Sequence, residues 1–174
     1  MLTFEEEFAG VEGSAPRPSR PMMEATIIAR ALDAPSEEVR LRACQVFAAA
    51  LQVAAAREDG AAPRQAWEEA LPKWFLARCR PELTRAEREA ELTAWQRESP
   101  AEQARLERET PWTLDAWTYW LESSMRSWWW LDSRSEPDRV VVTLAIDGWP
   151  FGWGSLGWLL RASGAREVVE GVDA

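Results

Sequence analysis

The chain has 174 residues, 47% of them hydrophobic and 28% charged, with a formal net charge of −9, the make-up of a folded domain rather than of a disordered chain. Such acidity argues against direct nucleic-acid binding, because holding phosphates needs a surplus of Lys and Arg on one face. Histidine is absent, which excludes Ser-His-Asp and Cys-His nucleophile systems, His-containing zinc sites and an imidazole pH switch.

Residues 1–21 read as an acidic tail and a Pro-rich linker. Phe4, Phe8 and Val11 stand among glutamates, and Pro16, Pro18 and Pro21 forbid a helix after them. A flexible segment is the expectation here. The opening has no basic start followed by an apolar run, so it does not read as a secretory signal. The longest alanine-rich run, 43–56, is shorter than the ~18–20 residues a bilayer span needs. These features predict a soluble cytoplasmic protein that makes no membrane contact. Cys44 and Cys79 form no Cys-x-x-Cys pair and read as buried, reduced thiols in helices.

Residues 22–174 read as one domain, helical over 22–125. Ser36 is the expected N-cap of a long helix, with Glu37 and Glu38 in its first turn. Val39, Ala43, Val46, Phe47, Ala50, Leu51 and Ala54 then recur at helical spacing. A shorter helix opens at Pro63 and is broken at Pro72. Thr84 with Glu87, and Ser99 with Glu102 behind Pro100, have the spacing of capping boxes. Between Thr84 and Glu109 the mixed Glu and Arg spacing reads as a solvated face, and the arginines interrupt any DNA-like row of carboxylates. Thr110-Pro111 is expected to open the last helix of this region.

At Ser127 the period becomes alternating. Trp128–Asp132 and Arg139–Ile146 flank the turn residues Ser135-Glu136-Pro137-Asp138, which predicts a β-hairpin. A Gly-rich loop follows, then a short helix capped by Ser155 and ended by Gly164, and a closing strand over 166–170. The fold class is therefore α+β: a helical first two-thirds packed on a small antiparallel ββαβ unit over 126–174.

Tryptophan is the unusual residue. The chain has 12, most of them between Trp112 and Trp158, and tryptophan anchors both cores and interfaces. A four-residue hairpin loop would set Trp128, Trp130, Asp132 and Thr143 on one mixed face. Trp129, Leu131, Val140, Val142, Leu144 and Ile146 would then form the apolar core face. Two uses of the mixed face compete: a second layer of core, or an open patch that Trp149 and Trp153 extend and an Arg126–Asp147 pair flanks.

Chemistry is harder to place. Gly152-Trp153-Gly154-Ser155 precedes a helix but lacks a P-loop pattern, and Asp115, Asp132 and Asp147 have no diagnostic spacing for catalysis or metal binding. No cofactor and no metal are expected. The reading that follows is a non-catalytic protein-binding module, of an inhibitor, immunity or adaptor kind. It would recognise a basic partner through Trp128, Trp130, Thr143, Asp132, Arg126, Asp147, Trp149 and Trp153. The alternatives are a Trp-lined pocket for a sugar or planar ligand, and a carboxylate-dependent enzyme.

Overall fold

The computed structural model describes residues 3–13, 23–56, 62–121 and 126–171. Four antiparallel strands form its sheet: β1 (Met23–Leu32), β2 (Trp128–Glu136), β3 (Arg139–Ile146) and β4 (Ala165–Gly171), in the order β2-β3-β1-β4. Around it lie α1 (Phe4–Val11), α2 (Ser36–Ala55), α3 (Arg64–Ala70), α4 (Lys73–Leu76), α5 (Arg85–Trp95), α6 (Pro100–Glu109), α7 (Leu114–Tyr119) and α8 (Gly154–Ser163). The fold is α+β, with most helices in the N-terminal part and three of the four strands in the C-terminal part.

The sheet reaches beyond the expected ββαβ unit. β1 lies within the region read as helical, yet it is an inner strand paired to both β3 and β4. Its Ala25, Ile27 and Ala29 are buried, while Thr26 and Ile28 on the alternate face are half-buried. Met, Glu and Ala favour helix, but two neighbouring strands satisfy the backbone of this segment and override that preference.

One face of the sheet carries the core. The whole expected stripe of α2, from Val39 to Ala54, is buried there, and Phe47 stacks on Trp128 and Trp130 with centroids 5.6 and 5.2 Å away. α8 packs on α2 and β4. It ends at Gly164, whose φ of +124° is a conformation that side chains rarely adopt. Several boundaries differ from the reading of the sequence. Pro35 is the N-cap of α2, with Ser36 inside the first turn. α7 starts at Leu114 with Thr113 as its N-cap, the Thr113 hydroxyl accepting from Ala116 N–H, while the Trp112 carbonyl accepts from Arg80 N–H outside the helix. Trp153 precedes α8, so Ser155 lies within that helix. Cys44 is buried in α2, whereas Cys79 follows α4 and is half-buried; neither forms a disulfide.

The hairpin forms over the expected residues with a different register. Its turn is Pro137-Asp138, so Glu136 pairs with Arg139, and a bulge at Leu131 shifts the pairing by one. Asp132 keeps to the same face as Thr143. Beyond the bulge the assignment inverts: Trp128 faces Ile146 and Trp130 faces Leu144.

Candidate functional site

That inversion dissolves the expected aromatic site. Trp128 and Trp130 are 2% and 0% exposed and belong to the main core, while Trp129, Leu131 and Ala145 form a separate buried cluster. The Trp128 indole N–H donates to Gly152 O at 3.1 Å, which ties the loop before α8 to β2. Asp132 is exposed and Thr143 half-buried on the opposite face from Trp128. Trp153 is partly buried against the core, and Trp149, 47% exposed, meets Phe151 edge-on at 4.9 Å. Arg126 does not pair with Asp147, which is exposed and whose backbone N–H donates to Ser127 O. The eight residues therefore share no continuous surface.

Arg126 reaches instead into the segment read as a flexible tail. Within that segment, residues 4–11 form α1, opened by a reciprocal capping box between Thr3 and Glu6. The linker residues 14–21 lie outside the described residues. α1 lies against β2 and α2. Glu7, 1% exposed, accepts both from the Arg126 guanidinium and, at 2.8 Å, from Trp130 N–H. Because β2 is an edge strand, that carboxylate satisfies a backbone donor with no strand beside it. Burial raises the Glu7 pKa above its ordinary value, and Arg126 and the Trp130 N–H offset only part of that rise. The Arg126 guanidinium also lies 5.4 Å from the Trp128 ring centroid and 5.7 Å from that of Phe47. The Thr3-x-x-Glu6 spacing was the sequence signal for this helix; nothing local marked Glu7 as its buried anchor.

Docking of α1 on α2 creates a groove of about 360 Å³. Phe8 and Ala9 of α1 and Leu51 and Ala55 of α2 form its apolar lining, with Glu5, Glu12 and Gln52 beside them. Among the described residues the lining thus contains two carboxylates and no cation.

A second groove, of about 340 Å³, lies beside α5 and α6. Neither helix buries a residue. They form an arm closed at its base, where Arg80 bridges Thr113 and Arg80 salt-bridges Glu91 at 2.7 Å. Gln103 Nε2 donates to Trp95 O at 3.0 Å, joining one helix to the other. Leu83, Leu92, Trp95, Leu106 and Ala116 are the apolar part of this groove. An adjoining recess of about 250 Å³ is lined by Trp112 and Trp120 together with Arg80, Glu107, Thr110 and Thr113.

Burial pushes the Cys79 thiol up to about 11 and also raises Cys44, whose Sγ lies 3.5 Å from Ser133 Oγ, so neither is a ready thiolate near neutrality. Among the described residues no group of three or more His, Cys, Asp or Glu side chains is arranged to hold a metal ion, and no helix is long and apolar enough to cross a membrane. Comparison with known proteins matches the chain to no family model, no curated protein and no solved structure.

Proposed function

We propose that this chain is a protein-binding module of an inhibitor or adaptor kind, and that its basic partner presents an amphipathic helix to the groove between α1 and α2. The observation that carries the reading is the groove's chemistry: an apolar lining beside Glu5 and Glu12, with no positive side chain among the described lining residues. A helix with an apolar stripe between lysines or arginines would bury the stripe on Phe8, Ala9 and Ala55 and set its cations against the carboxylates. The chain's net charge of −9 adds long-range attraction for the same partner and speeds encounter at low salt. The alternative, a sugar or planar ligand, has its natural place in the recess beside Trp112 and Trp120.

The test uses a synthetic Leu/Lys amphipathic helix and its Leu/Glu counterpart, titrated calorimetrically. The Lys peptide is expected to bind, more weakly as salt rises, and the Glu peptide not to bind. Ala55→Trp, made at an exposed position, fills the groove and should weaken binding by about tenfold or more. Glu5→Lys with Glu12→Lys should reverse the peptide preference. Failure of the wild type to bind the Lys peptide, or binding indifferent to Ala55→Trp, defeats the reading.

A further inference from the structure

We infer that the α5–α6 arm is a self-association surface whose occupant is the arm of a second copy of this chain. Helices of this length are marginal in water on their own, and α5 and α6 remain helical without burying one residue. Their apolar side chains are incompletely covered: Leu92 is 54% exposed, and it lines the groove with the half-buried Leu83, Trp95 and Leu106. Two such helix pairs can bring their apolar side chains together as four helices, the economical way to cover a pair of amphipathic helices.

Charge selects a second copy over the basic partner proposed for the α1–α2 groove. The groove beside the arm carries both signs, Arg80 and Arg88 with Glu82, Glu91 and Glu107. Elsewhere two copies of a chain of net charge −9 repel one another. Arg80 is paired with Glu91, and Glu82 with Arg64. Arg88 and Glu107 have no ion-pair partner among the described residues. In the inferred association these two are each other's partners across the two-fold axis, which brings the Arg88–Glu107 contact in twice. The surface is thus complementary to itself in charge as well as in apolar character.

Sedimentation velocity over a dilution series tests this on the full chain. Wild type should sediment at twice the 19.7 kDa monomer mass when concentrated and dissociate on dilution. Leu92→Glu places a charge at an exposed position, so it should leave the circular dichroism unchanged and yield monomer throughout. Arg88→Glu and Glu107→Arg should each raise the dimer dissociation constant by about threefold, as suits a rim ion pair, and the double reversal should restore it. Ala55→Trp should leave the mass unaltered. Wild type that stays monomeric at every concentration overturns the inference, as does a Leu92→Glu variant that dimerises like wild type. A double reversal weaker than either single change overturns the Arg88–Glu107 pairing.

Discussion

Glu7 and Glu37 are both glutamates that accept from an arginine, and their surroundings give them opposite responses to acid. Glu37 is exposed at the start of α2, where hydrogen bonds from Arg40 and from Ser135 of β2 hold its pKa down at about 2, below the ordinary 4.5. Its folded-state value lies below the unfolded one. Its stabilisation is therefore complete above about pH 4.5 and is lost as pH falls toward 2. Glu7 is the reverse case. Burial raises its folded-state pKa, so the folded protein takes up this proton before the unfolded chain does, and the group favours folding increasingly as pH falls through that raised value. Melting temperature measured against pH should show both signs. Glu37→Gln should lose less stability than wild type between pH 4.5 and 2. Glu7→Gln removes the compensating group and should lose more on acidification. At neutral pH, Glu7→Ala should cost about 3–5 kcal/mol, because it strands the buried Arg126 charge and leaves the Trp130 N–H without its acceptor. A Glu7→Ala protein as stable as wild type would show that this pair does not anchor α1.

α1 can approach β2 so closely because residue 10 has no side chain. A Cβ there would lie 2.5 Å from Leu131 O and 2.9 Å from Trp130 O, both backbone atoms that no side-chain rotation can move. Gly10→Ala should therefore lift α1 from the sheet edge at a cost of about 1–3 kcal/mol. Limited proteolysis should then cut within residues 3–13 while the rest of the domain survives; an uncut N-terminus would mean that α1 tolerates the displacement. This contact also marks the limit of what local pattern reveals. The stripe of α2 and the cap at Thr84 are written in short-range spacing, and both stand where that spacing puts them. The bulge at Leu131 leaves no such mark. One extra residue in β2 moved Trp128 and Trp130 to the face where Phe47 waits, and so removed the expected aromatic site. β1 was hidden for a related reason: its pairing partners, Val140–Ile146 and Ala165–Gly171, are more than a hundred residues away in the chain. Glu7 became a buried anchor only through Arg126 and Trp130, at similar separations.

The molecule divides into a body with a continuous core and an arm that adds nothing to it. The core runs from Val11 through α2 and the sheet to Val168, and no residue of α5 or α6 belongs to it. The arm's own ion pairs, Arg85–Glu89 and Arg105 with Glu102 and Glu109, are exposed and stay within single helices, where each contributes at most a few tenths of a kcal/mol. Its two ends meet at the body, since Arg80 N–H donates to Trp112 O at 3.1 Å. Replacing residues 84–110 by a short Gly/Ser linker therefore removes a closed excursion without opening the core. Loop-closure entropy changes only slowly with length, by about 0.6 kcal/mol per doubling, so thermal unfolding of the shortened chain should stay close to that of wild type. The same excision should abolish dimer formation while leaving binding of the Lys-rich helix intact, because the α1–α2 groove lies on other elements. If instead the shortened chain unfolds, the arm supports the body in a way its exposed surface does not show. If it keeps its fold and still dimerises, the interface lies elsewhere on the body.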